Sequence, residues 1–168
     1  MKKVIFYLFV GLILTSCGGG GGGSHSELYN HIMKGTSGIF RGADMGMSID
    51  DVKKLEDAAM LTDDEEDYLY YDYNLGGDDS YTVSYTFYDE ALVDMEVQTY
   101  IDSKENAAKL FTEMKATFDE KYGNGTLADD GYTVWKGKAG NGNNFEIALI
   151  DDSDSYGYVQ MFITDLDY

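Results

Sequence analysis

The side chains that most often carry catalysis are scarce in this sequence of 168 residues. Its two histidines, His25 and His31, and its single cysteine, Cys17, all precede residue 39. Beyond that point no Ser-His-Asp triad, Cys-His pair or histidine-rich zinc site can be assembled, because the imidazole and the thiol are missing. Arg41 is the only arginine, which also excludes a phosphate or carboxylate clamp built from several guanidinium groups.

Carboxylates are the one abundant class of reactive side chain. Asp94 and Glu96 are the best candidates for an acid–base pair, because their i, i+2 spacing places both on the same face of a strand. Such a pair needs a walled cleft that separates the two pKa values, and no pattern in the sequence indicates a cleft. We therefore interpret the pair as part of a solvated strand face, assign no catalytic residue and predict that the protein is not an enzyme.

Two acidic segments are candidates for loose binding of calcium or another cationic ligand. Residues 152–157 begin like an EF-hand loop, but Tyr156 and Ile163 stand where that loop needs oxygen ligands. Residues 63–67 are an acidic run. A hairpin turn and a solvated loop are the preferred interpretations, so no metal ligand and no cofactor are assigned. Cation binding is kept as the alternative function.

Tyrosine is frequent, with 15 copies in the chain. Five of the rings fall on the outward phase of their strands, opposite the apolar residues that face the core. Such rings either form an exposed recognition surface, because tyrosine is enriched at binding sites, or pair across strands and stabilise an open sheet. The candidate interaction residues are Tyr68, Tyr70, Tyr88, Tyr100 and Tyr158.

The N-terminal residues have the pattern of an export signal. Two lysines precede an apolar run at residues 4–14, which is too short to span a bilayer but fits a secretory signal peptide. The following sequence LTSC, which ends at Cys17, resembles the bacterial lipobox. We predict a cleaved signal peptide at residues 1–16 and acyl chains such as palmitate on Cys17. These chains would anchor the protein in the bacterial cell envelope, on the outer membrane facing the periplasm.

The residues after Cys17 are predicted to form a tether and one folded domain. Residues 18–23 are an unbroken glycine run, so residues 17–38 are assigned to the tether, with a short helical segment near residues 27–34. Residues 39–168 are assigned to a single domain. Removal of the signal peptide and its two lysines changes the net charge from −19 to −21. This charge disfavours nucleic acid and anionic lipid surfaces as partners.

Hydrophobic periodicity predicts the elements that position these residues. A first helix should begin after an N-cap at Ser48 and end near Ala59, and a longer one should begin after Ser103 and end at Gly123. Three strands with apolar–polar alternation follow each helix. The predicted fold is α+β, with a six-stranded, largely antiparallel sheet and two helices packed on one face. The order fits either a duplicated helix–three-strand unit or a chance recurrence of a common arrangement.

Two stretches resemble small exported bacterial lipoproteins. In residues 40–52, Gly46, Ser48 and Val52 match a Gly-x-Ser/Thr-x-x-x-Val element of SmpA/OmlA-type assembly lipoproteins and β-lactamase-inhibitor-like domains. Residues 107–123 resemble the second helix of uncharacterised lipoproteins, which also closes on Tyr-Gly. The chain departs from these families, because it lacks the Gly-x-Pro turn of the first and the disulfides of the second. The resemblance implies a non-enzymatic α+β domain that binds an unidentified envelope protein.

Overall fold

The structure, a computed structural model, describes residues 25–35 and 37–168, apart from the side chains of Ser155 and Tyr156. The predicted signal peptide, Cys17 and the glycine run lie outside these residues. No helix in the described part is long and apolar enough to cross a membrane. A 3₁₀ turn spans Ala58–Met60. The four helices in the described part are α1 (Glu27–Met33), α2 (Ile49–Lys53), α3 (Lys104–Tyr122) and α4 (Ser153–Tyr156).

The described residues form one eight-stranded antiparallel sheet. Its strands are β1 (Leu61–Asp64), β2 (Tyr68–Gly76), β3 (Asp79–Tyr88), β4 (Ala91–Tyr100), β5 (Thr126–Leu127), β6 (Thr133–Lys138), β7 (Asn144–Asp152) and β8 (Tyr158–Asp165). The order is β1-β2-β3-β4-β8-β7-β6-β5, so two four-strand meanders meet where β4 pairs with β8. The prediction of six strands and two helices is therefore wrong, although the broad α+β class agrees.

The two strands that the sequence missed are the edge strands β1 and β5. In β1 three of the four residues are exposed, and both residues of β5 are exposed. Neither strand buries one face, so neither shows the period-two alternation on which the prediction depended. Asp63 and Asp64 also have low strand propensity. The predicted helix–three-strand unit is corrected accordingly, because each half of the chain contributes four strands.

The apolar phase of the strands packs beneath α1 and α3. The N-caps predicted for α2 and α3 are confirmed, because Ser48 and Ser103 each accept a hydrogen bond from the backbone N–H three residues later. The first helix is shorter than predicted, since α2 ends at Lys53 and a separate 3₁₀ turn follows at Ala58–Met60. Buried core residues include Leu69, Tyr71, Tyr81, Val83, Tyr85, Met95, Val97, Leu110, Met114, Phe118, Phe145, Ile147, Leu149, Val159, Met161 and Ile163.

Helix α1 lies in the segment predicted as tether, yet it is part of the folded domain. Its side chains Tyr29 and Ile32 are buried in the core. The backbone N–H of Ser26 donates to Glu113 of α3 at 2.8 Å, and the Tyr29 hydroxyl hydrogen-bonds with Thr117 of the same helix at 2.6 Å. The folded domain therefore begins before residue 39, the boundary that the sequence suggested.

Candidate functional site

The best candidate for a functional surface is the face of the sheet opposite α1 and α3, which we call the open face. Its side chains come from the strand positions that alternate with the buried core residues. The strand registers align one such side chain from every strand in a row across the sheet. From β1 to β5 this row contains Asp63, Tyr70, Ser84, Glu96, Phe162, Ala148, Val134 and Thr126.

All five candidate tyrosines lie on the open face, at the positions that the alternation predicts. Tyr68 and Tyr70 stack along β2 with their ring centroids 6.3 Å apart. Tyr100 of β4 packs edge-to-face against Tyr158 of β8 at 5.2 Å. Tyr88 and Tyr100 are 59% and 46% exposed. Four of the five rings therefore pair with each other, and Tyr88 packs against Tyr168. Tyr88 and Tyr100 still present area to solvent, so both arrangements predicted from the sequence are compatible with the structure.

A network of hydrogen bonds orients the polar side chains in the middle of the open face. The amide oxygen of Gln98 accepts from the hydroxyls of Tyr158 at 2.9 Å and Tyr100 at 3.3 Å, and its amide nitrogen donates to Glu96. Gln160 donates to the Tyr158 hydroxyl at 2.9 Å. Burial, together with the neighbouring Tyr100, raises the pKa of Tyr158 to about 12. Tyr158 is thus a neutral hydrogen-bonding group at physiological pH.

The half of the open face formed by β6, β7 and β8 contains a groove of about 780 Å³. Tyr132 lines this groove and packs against Phe162, with the ring centroids 6.1 Å apart. Lys136 and Glu146 also line it and form an ion pair at 3.2 Å. The sequence signal for this groove was the occurrence of apolar residues on the outward phase of strands. Those residues are Val134, Ala148 and Phe162.

Asp94 and Glu96, the candidate acid–base pair, lie side by side along β4 on the open face. Asp94 stands between Thr86 and Thr164 of the neighbouring strands, and Glu96 stands next to Ser84 and Phe162 in its row. The two carboxylates are half-buried, share one strand surface and do not face each other across a cleft. This placement agrees with the interpretation as a strand face and offers no position where a substrate lies between them.

The two acidic segments considered for calcium adopt structures without a shared ligand sphere. The residues expected to form a hairpin turn instead include the one-turn helix α4, and Asp151 accepts a hydrogen bond from the backbone of Ser153 there. In the other segment, Asp64 forms an ion pair with Lys53 at 2.6 Å. Across the described residues, no three imidazole, thiol or carboxylate side chains converge as ligands for a metal ion.

The most strongly perturbed ionisable groups lie beneath the sheet. Arg41 and Glu56 are buried and form a two-pronged pair with N–O distances of 2.5 and 2.6 Å. The hydroxyls of Tyr73 and Tyr85 donate to the same carboxylate at 2.6 and 2.5 Å, and Arg41 donates to the Ile32 carbonyl of α1 at 2.7 Å. Burial alone would raise the pKa of Glu56, but the hydrogen bonds and charge of Arg41, helped by the tyrosines, lower it to about 2.

This cluster links α1 to the sheet. Arg41, Tyr73 and Tyr81 line a surface pocket of about 510 Å³, but the Arg41 and Glu56 side chains themselves are only 1% and 0% exposed. In the described part of the chain, no buried side-chain nitrogen or oxygen lacks a hydrogen-bond partner. A perturbed pKa indicates a functional site only when the group also faces a cleft. We therefore assign the cluster a structural role. No pattern in the sequence indicates it, because Arg41 and Glu56 lie 15 residues apart and meet only in the folded domain.

No family model matches the chain, and no similar protein was found among the curated proteins or the solved structures. Function is therefore inferred from two features, the open face and the N-terminal sequence pattern.

Proposed function

We propose that the protein is a lipid-anchored component of the bacterial cell envelope that binds a protein partner through the open face and has no catalytic activity. The observation that carries this proposal is the open face itself. It combines paired, partly exposed tyrosines with a groove that has an apolar floor, and both features are typical of recognition surfaces.

The proposal of a lipid anchor depends on the lipobox-like sequence at Cys17. The position of Ser26 supports an orientation in which the open face points away from the anchor. Residues before α1 join the domain beside α3, because Ser26 hydrogen-bonds with Glu113. The anchor would therefore enter on the helix-covered side of the sheet. The open face lies on the other side, where it is free to meet a partner in the periplasm.

We infer binding, and not catalysis, from the kinds of side chain that the folded domain contains. From Phe40 onward the chain has no imidazole and no thiol, and its single guanidinium is buried against Glu56. The candidate carboxylates Asp94 and Glu96 lie on an open strand surface. Binding through shape, aromatic area and charge needs none of the missing groups.

Co-purification from crosslinked envelopes tests this function with the lipidated full-length protein. The paired substitutions Tyr70→Ser and Tyr100→Ser remove two open-face rings, and we expect recovery of the partner to fall about tenfold. The matched control is Lys109→Ser with Ala116→Ser, two exposed positions on α3. Loss of the partner from the α3 variant, with retention by the tyrosine variant, would place the binding surface elsewhere.

A further inference from the structure

We propose that the partner presents an extended segment with arginine or lysine at alternate positions, and that this segment lies over β2, β3 and β4 of the open face. The inference rests on the proposed function, because it names the chemistry that the same surface recognises. The open-face positions of these three strands carry three carboxylates and no cationic side chain. The carboxylates are Asp72, Asp94 and Glu96.

These carboxylates have no cation of their own. None of the ion pairs among the described residues includes Asp72, Asp94 or Glu96. On the other half of the open face, by contrast, Glu146 is paired with Lys136. Uncompensated negative charge on one face, within a chain of net charge −19, attracts a cationic partner and accelerates its association.

The strand registers place a tyrosine and a carboxylate on either side of a small hydroxyl residue, and they do so twice. Neighbouring strands lie about 4.8 Å apart, so the backbones that carry the ring and the carboxylate are about 10 Å apart in each row. A cationic group that reaches both the ring and the carboxylate of a row is stabilised by each contact. The two rows are Tyr70–Ser84–Glu96 and Tyr68–Thr86–Asp94.

The distance between the two rows determines the spacing of the cations in the partner. The rows are separated by two residues along the strands, which corresponds to about 6.8 Å. Alternate side chains of an extended segment have the same separation, so a segment that runs along these strands places one cation over each row. Arginine suits this arrangement better than lysine, because its planar group stacks on tyrosine and binds a carboxylate with two hydrogen bonds.

Calorimetric titration of a synthetic peptide of alternating arginine and serine tests the proposal. The peptide is added to the full-length lipidated chain in micelles of a neutral detergent. The paired substitutions Asp94→Asn and Glu96→Gln remove charge from both rows, and we expect them to weaken binding about tenfold. The matched control, Glu65→Gln with Glu66→Gln, removes equal charge from an exposed loop and should change the affinity less than about twofold.

Equal weakening by the two charge variants would overturn the proposal, because binding would then reflect the overall acidity of the chain. Equal binding of a peptide with citrulline in place of arginine would also overturn it. Tyr68→Leu with Tyr70→Leu leaves the charge unchanged and should still weaken binding. Circular dichroism shows whether each variant is folded.

Failure of this inference is distinguishable from failure of the proposed function. An envelope partner that is lost from the Tyr70→Ser, Tyr100→Ser variant but retained by the Asp94→Asn, Glu96→Gln variant keeps the binding role of the open face. That result rejects only the cationic segment.

Discussion

At the scale of single residues, the only arginine of the chain stabilises the interior. Arg41 and Gly42 form a tight turn with φ values of 52° and 88°, and the guanidinium extends to Glu56 and to the carbonyls of α1. Composition alone reveals that this arginine is single. Its partner could not be read from the sequence, because Glu56 lies 15 residues away, in a segment predicted as part of the first helix. Three tyrosines complete the cluster only after the sheet has formed: Tyr73 of β2 and Tyr81 and Tyr85 of β3.

Glu56→Gln should strongly destabilise the fold. The substitution leaves the charge of Arg41 buried without a counter-charge, and breaking a buried pair in this way costs about 3–5 kcal/mol of unfolding free energy. Urea denaturation measures the change. Asp51→Asn is the control, because it removes an exposed pair with Lys54 and should leave the denaturation midpoint nearly unchanged. Equal midpoints for wild type and Glu56→Gln would contradict the structural role of the cluster.

The same carboxylate should contribute to acid sensitivity. The pKa of Glu56 falls from its ordinary 4.5 to about 2 on folding, so the unfolded chain binds this proton more readily. Its contribution to stability is complete above about pH 4.5 and is lost as the pH falls toward 2. The stability difference between wild type and Glu56→Gln should therefore be constant near neutral pH and shrink through this window. A difference independent of pH down to 2 would contradict the assigned ionisation.

At the scale of elements, the sequence predicted every strand that buries one face. Alternation located the six inner strands, and the caps Ser48 and Ser103 located two helix starts. The edge strands β1 and β5 were not predicted, because their residues are mostly exposed and no hydrophobic periodicity distinguishes them from loops. The packing of α1 into the folded domain was not predicted for a different reason. Its neighbouring glycines indicate a tether, whereas its contacts with α3 are long-range and leave no local pattern.

Ile32→Ala tests whether α1 belongs to the domain. Ile32 is fully buried, so truncation should cost about 2–5 kcal/mol of unfolding free energy through lost burial and the cavity that remains. His31→Ala, on the exposed side of the same helix, is the control and should have little effect. Chemical denaturation of both variants gives the comparison. An Ile32→Ala variant with the same denaturation midpoint as the wild type would contradict the assignment of α1 to the folded domain.

At the scale of the whole molecule, one face of the sheet stabilises the fold and the other is the proposed binding surface. One face carries the core, α1, α3 and the point where the predicted tether enters. The other carries the tyrosines, the groove and the uncompensated carboxylates. The placement of the five candidate tyrosines could be predicted from alternation alone. The groove and the two tyrosine–carboxylate rows could not, because they depend on which strands become neighbours across the sheet.

The anchor itself is tested at Cys17. Cys17→Ser should abolish incorporation of labelled palmitate and release the protein from membranes, because the thiol that we propose as the lipid acceptor is gone. Labelling in growing cells, followed by fractionation, measures both effects. Palmitate that still enters the variant would contradict the lipobox assignment.

Site-specific photocrosslinking in intact cells shows which face of the sheet contacts a partner. A photoreactive residue placed at Tyr70 reports on the open face, and one at Lys109 reports on the helix-covered side of the same protein. We expect a discrete protein adduct from position 70 that is absent from position 109. Adducts that form only from position 109, or equally from both positions, would contradict recognition through the open face.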